Sequence, residues 1–107
     1  VEFFVTHRVS DREYCEKMEE LIEPSIVQFK PEFIVFNAGT DILEGDPLGN
    51  CSISGEGIQM RDQIVFDLAF RYQVPILMVL SGGYLKENAS VIAASVNNIY
   101  KKFGLPC

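Results

Sequence analysis

At 107 residues the chain is long enough for one domain at most, or for part of one. Its net charge of −6, with nine Lys and Arg spread along the chain without a cluster, excludes the basic stripe of a general nucleic-acid binder. Hydrophobic residues make up 48% of the sequence, which supplies a core and argues against disorder, yet no apolar run reaches membrane-spanning length.

The first element is Val1-Glu2-Phe3-Phe4-Val5, a short β-prone run read as an edge strand. Ser10-Asp11-Arg12-Glu13 then fits a capping box, in which the serine hydroxyl and the Glu13 carboxylate satisfy free amides at a helix start. Tyr14, Met18, Leu21 and Ile22 follow at helical spacing. Pro24 has no amide hydrogen and clashes with the preceding turn, which predicts a kink or break there. A last helical piece through Ile26 and Val27 is expected to end at Pro31. Glu32 to Asn37 reads as the second strand, followed by a long loop through Ser54. Ser54 is placed to cap a helix from about Gly55 to Tyr72, with Ile58, Ile64, Val65, Leu68 and Ala69 as its apolar stripe. Val74 to Leu80 is continuously apolar and suits a strand buried on both faces, as in a parallel sheet. After Ser81-Gly82-Gly83-Tyr84 a third helix starts between Leu85 and Ala89 and carries Val91, Ile92, Val96, Ile99 and Phe103. Gly104 and Pro106 end it.

Strand, helix, strand, helix, strand, helix is an α/β order with right-handed crossovers and a parallel sheet. The loops after the second and third strands then leave from the carboxyl ends of parallel strands, where open sheets place their sites. Asp46 and Tyr84 would project from that one edge. The first of these loops places two glycines, a proline and three acidic residues within eleven positions after Asn37. On spacing alone it reads either as a site loop or as a solvated connection. Asp41 could equally cap a turn, and Asp46-Pro47 is a common turn starter. Tyr84 could be a packing residue with a wet hydroxyl. Ser81-Gly82-Gly83 before a helix could form a phosphate-binding nest in a small nucleotide-binding domain, although it lacks a P-loop lysine. Cys15, Cys51 and Cys107 are odd in number and far apart, which points to a reducing interior, nucleus and/or cytoplasm, rather than a disulfide framework. His7, the single histidine, reads as a surface residue.

The run Asn37-Ala38-Gly39-Thr40-Asp41-Ile42-Leu43-Glu44-Gly45-Asp46-Pro47-Leu48-Gly49 resembles a loop of the zinc-dependent histone deacetylases, and Thr40 to Asp46 is closest to class IV wording. Pro75-Ile76-Leu77-Met78-Val79-Leu80-Ser81-Gly82-Gly83-Tyr84 is similar to the family's strand, glycine turn and catalytic tyrosine. The resemblance implies a three-layer α-β-α fold of the arginase and deacetylase kind, with residues 1–107 forming its carboxyl-terminal part, about three strands and three helices. The family holds its Zn2+ with two aspartates and a histidine, and Asp46 matches the second aspartate. Such a metal lowers the pKa of its bound water and polarises the substrate carbonyl. By the same match Tyr84 would donate a hydrogen bond to the oxyanion, and Asp41 would hold the loop behind the ligand. Gly82 and Gly83 would let the backbone pass close to the substrate channel, and Ile53 would line it unless it is a core isoleucine.

The reaction implied is hydrolysis of acyl-lysine on histones or other proteins, acetyl or long fatty acyl. The family's Asp-x-His metal pair and His-His base pair do not occur in these residues. An isolated chain is therefore expected to be inactive, with the remaining N-terminal part of the catalytic domain as its partner. The alternative is a truncated, non-catalytic form that acts as a protein-binding module.

Overall fold

The chain folds in the order α1 (Asp11–Phe29), β1 (Ile34–Asn37), α2 (Gly55–Arg71), β2 (Ile76–Val79) and α3 (Glu87–Phe103). The computed structural model describes residues 2–105, so Val1, Pro106 and Cys107 lie outside the described residues. Both strands belong to one parallel sheet with Ile34 opposite Ile76 and Asn37 opposite Val79. The α/β class and the parallel pairing are those expected from the sequence. The strand count is not: two form among the described residues, and Glu2 to Val5 joins no ladder. That run keeps the two-residue period of a strand, with Phe3 and Val5 packed toward the core and Phe4 exposed. Period sets which side chains are buried, but a strand also needs a neighbouring backbone to bond.

The helices pack side by side with α2 in the middle, against α1 on one flank and α3 on the other. Ser10 caps α1 by accepting from the Glu13 amide at 3.2 Å, and Ser54 caps α2 by accepting from the Gly57 amide at 3.1 Å. The Asp11 carboxylate also accepts from the Ser54 amide at 2.8 Å, which ties the starts of α1 and α2 together. Val9, Tyr14, Cys15, Leu43, Ile53 and Ile58 form the buried cluster between these helices and the loop after β1. On the other flank the Phe70 and Phe103 rings stack at 4.8 Å. Gly104 closes α3 in the left-handed conformation, its amide bonded to the Tyr100 carbonyl.

Two expectations are corrected here. Pro24 neither breaks nor ends α1, which runs on through it to Phe29. The proline withdraws the amide that would bond the Glu20 carbonyl, and Glu20 is exposed, so water can replace that bond. Ser25 adds a side-chain bond to the Leu21 carbonyl at 2.7 Å, and Ile26 anchors the last turn in the core. Second, neither strand is buried on both faces. Ile34, Phe36, Ile76 and Met78 are half-buried, whereas Val35 is 63% exposed and Leu77 50%. The apolar run of β2 has the composition of a doubly covered strand. Among the described residues only the helices cover it, and they take one face.

The two faces should respond differently to substitution. Leu68→Ala, deep on α2, is expected to cost about 2–5 kcal/mol in chemical denaturation of the chain. Leu77→Thr, on the open face, should change stability by no more than about 0.5 kcal/mol.

Candidate functional site

Because Asn37 and Val79 are level in the register, the chain leaves both strands at the same edge. The Ala38 amide extends the ladder to the Val79 carbonyl at 2.8 Å, and the Ser81 hydroxyl donates to Asn37 Oδ1 at 2.5 Å. From there the two loops run side by side. The first is ordered by a short bridge between Leu43 and Ile53, with the Glu44 amide bonded to the Ile53 carbonyl at 2.8 Å and the Ile53 amide to the Ile42 carbonyl at 3.2 Å.

Asp46 lies at the turn of this loop and is 4% exposed. Its Oδ1 accepts from the Leu48 amide at 3.0 Å and the Gly49 amide at 3.1 Å, which closes the turn over Pro47. Its Oδ2 reaches across to the second loop and accepts from the Tyr84 amide at 2.8 Å. Burial alone would push this carboxyl up, but the amides of Tyr84, Leu48 and Gly49 together outweigh it and hold the pKa below the ordinary aspartate value. The carboxylate therefore stays ionised at neutral pH.

The structure thus brings Asp46 and Tyr84 together, as their spacing on one sheet edge predicts. The contact is made by the Tyr84 backbone; the phenol-bearing residue itself is 57% exposed. Gly82 and Gly83 both have positive φ, +64° and +110°, where side chains other than glycine are strained. A Cβ on Gly82 would lie 2.8 Å from the Asp41 carboxylate carbon, and one on Gly83 would collide with the Thr40 hydroxyl. Asp41 is half-buried and packs beneath the Ser81–Gly82 turn, so it supports one loop against the other. Ile53 is fully enclosed in the core cluster, so it lines no open channel in the described chain. It packs in that cluster beside Leu43, to which its backbone is bridged. His7 and Glu44 are exposed. Burial raises the thiol pKa of Cys51, with Asp41 and Asp46 adding to it, and burial and Asp11 do the same for Cys15; neither is a poised nucleophile.

Sequence reasoning missed the buried polar groups that hold these loops. Asn88, in the first turn of α3, donates from Nδ2 to the Thr40 carbonyl at 3.0 Å and hydroxyl at 2.7 Å. Its Oδ1 accepts from the Leu85 amide at 2.9 Å. Arg61 of α2 donates to the Gly39 carbonyl at 2.6 Å and the Ala38 carbonyl at 3.3 Å, and lies over the Phe36 ring at 5.5 Å. Asp62 pairs with Arg61 at 2.8 Å and accepts from the Ser95 hydroxyl of α3 at 2.5 Å. Asn88 and Thr40 leave no sequence signal of this kind. Arg61 and Asp62 do: with Ile58, Val65 and Leu68 they occupy helical core spacing, and a charged pair on a core stripe marks a buried network.

Among the described residues no three His, Cys, Asp or Glu side chains converge as a metal set. Asp46 does fit a role as one ligand of a larger set. A carboxylate has about four acceptor positions, and three amides account for Oδ1 twice and Oδ2 once, which leaves Oδ2 one position to offer.

Comparison with known proteins assigns this architecture to a family. The "Histone deacetylase domain" family profile matches residues 1–100. "Histone deacetylase 2" of Arabidopsis thaliana is 47% identical over 90 residues, covering 84% of this chain and 23% of that protein. "Histone deacetylase 15" of the same plant is 32% identical over 88 residues, covering 82% of this chain and 15% of that protein. The crystal structure of the HDA15 HD domain superimposes with a TM-score of 0.70 at 31% identity, covering 85% of this chain and 25% of that one. The chain belongs to the histone deacetylase domain family. It spans a quarter or less of the length of these relatives.

Asp46 makes stability depend on acid. Its pKa is depressed on folding, so its contribution is complete above the ordinary aspartate pKa and is lost as pH falls through the lower folded value. Unfolding measured against pH should show an acid-limb slope that Asp46→Asn flattens. Separately, Arg61→Met leaves Asp62 buried and unpaired and is expected to lower unfolding free energy by about 3–5 kcal/mol.

Proposed function

We propose that this chain is part of a zinc-dependent acyl-lysine hydrolase of the class IV histone deacetylase type, in which it supplies one metal ligand and the oxyanion donor. Membership of the histone deacetylase domain family supports the reaction class, and the wording from Thr40 to Asp46 supports the class IV assignment. The observation that carries the reading is the bond from the Tyr84 amide to Asp46 Oδ2, which places the two candidate groups on neighbouring loops of one sheet edge.

In this reading Asp46 has two tasks. Its three amide bonds keep the carboxylate ionised and fix its direction, and Asp46 would be one of the residues that hold Zn2+. When bound, the metal supplies polarisation of the acyl carbonyl and acidification of a water molecule. Tyr84, anchored by its backbone, presents an exposed phenol that can donate to the oxygen on which negative charge develops. Gly82 and Gly83 keep that approach free of side chains, and Asp41 supports their turn.

The remaining ligands and the general base belong to the rest of the domain. That part would also cover the open face at Val35, Leu77 and Val79. The 107-residue chain alone is thus inactive. The substrate is an acyl-lysine on a histone or another protein, acetyl or long fatty acyl, in the nucleus and/or cytoplasm.

Steady-state hydrolysis of an acyl-lysine peptide by the full-length enzyme tests this. Tyr84→Phe should lower kcat about 100- to 1,000-fold with zinc retained, whereas Asp46→Ala should lose zinc and activity together. Undiminished turnover in Tyr84→Phe, or zinc bound as before in Asp46→Ala, would contradict the assignment.

A further inference from the structure

Asn88 is buried, 4% exposed, and every polar atom of its side chain is engaged in joining the two loops. Its amide group holds Thr40 of the first loop by both carbonyl and hydroxyl. Its carbonyl oxygen holds the Leu85 amide of the second. Leu85 directly follows Tyr84, whose own amide is held by Asp46. The peptide units on either side of the Tyr84 α-carbon are thereby bonded to fixed acceptors, Asp46 Oδ2 before it and Asn88 Oδ1 after it. Among the described residues no hydrogen bond holds the exposed phenol itself. Backbone orientation at Tyr84 is what sets the direction in which its side chain leaves the loop. The Cβ that Gly83 lacks would fall on the Thr40 hydroxyl and 3.0 Å from Asn88 Nδ2, so the clamp and the glycine turn are fitted to one another.

We propose that Asn88, with Thr40, is a positioning residue for Tyr84: it sets the direction of the phenol toward the reacting carbonyl without touching substrate. The proposal rests on the reading of Tyr84 as the oxyanion donor. A donor must sit where charge develops in the transition state, and an error of about 1 Å in placement can cost on the order of 100-fold in rate. Loss of the clamp therefore acts on kcat through Tyr84 and leaves substrate affinity and the metal site in place.

The test is a double-mutant cycle in the full-length enzyme, with kcat, KM and bound zinc measured for each variant. Asn88→Ala should lower kcat about 10- to 100-fold, with KM and zinc content unchanged. In a Tyr84→Phe background the same substitution should cost nothing further, because the group it positions is already gone. Thr40→Val keeps the bulk and branching of Thr40 but removes the hydroxyl acceptor, and it should show a smaller kcat loss with the same dependence on Tyr84. It carries the test if Asn88→Ala fails to fold. Asn98→Ala, on the same helix and bonded to Gln63, should leave kcat unchanged. An equal loss in both backgrounds, or an unchanged kcat in the clamp variants, would overturn the positioning role while leaving Tyr84 as donor. If Tyr84→Phe alone leaves kcat untouched, the oxyanion assignment falls and this proposal falls with it.

Discussion

One carboxylate organises the sheet edge. Asp46 gathers two amides from its own turn and one from the loop after β2, and the geometry of both loops follows from that. A buried carboxylate without donors would be costly and would take up a proton. With three, it is held ionised, and its direction is fixed by backbone rather than by mobile side chains. A group that must offer an anionic oxygen to a cation benefits from both effects. On the proposed reading of Asp46 as a metal ligand, the bonds that stabilise the fold would also prepare the chemistry, and removing the carboxylate would disturb both at once.

Behind that edge the support is polar and buried. Arg61 holds the Ala38 and Gly39 carbonyls where β1 gives way to the loop, Asp62 and Ser95 tie α2 to α3, and Asn88 ties α3 to Thr40. Each group is paired, and no buried side-chain nitrogen or oxygen among the described residues lacks a partner. The sheet is different. One face carries the helices, and the other exposes Val35, Leu77 and Val79. That apolar strand face lies open to water on a chain that spans a quarter or less of the three relatives compared.

Much of this was legible in the residues. Helical spacing and the Ser10 and Ser54 caps located α1 and α2 closely, and the apolar runs before the two loops located the strands to within two residues. The shared edge for Asp46 and Tyr84 followed from parallel order alone. Long-range effects were the illegible part. Nothing in Glu2 to Val5 tells whether a neighbouring backbone is present, and nothing in β2 tells whether a second layer covers it. Pro24 predicted a break because the local rule is strong, yet the apolar residues on either side of it, Tyr14 and Cys15 before and Ile26 after, are buried in one helix. Ile53 reads as site or core in sequence, and its place in the buried cluster beside Leu43 needed the structure. That Asp46 would meet the amide of Tyr84 required the register.

The bond between Asp46 and the Tyr84 amide can be observed directly by following backbone amide resonances of the isotopically labelled protein through an acid titration. If the account is right, the Leu48, Gly49 and Tyr84 amides shift together, with one common midpoint below the ordinary aspartate value. A Tyr84 amide that ignores the titration while Leu48 and Gly49 follow it would mean the two loops are not joined through this carboxylate.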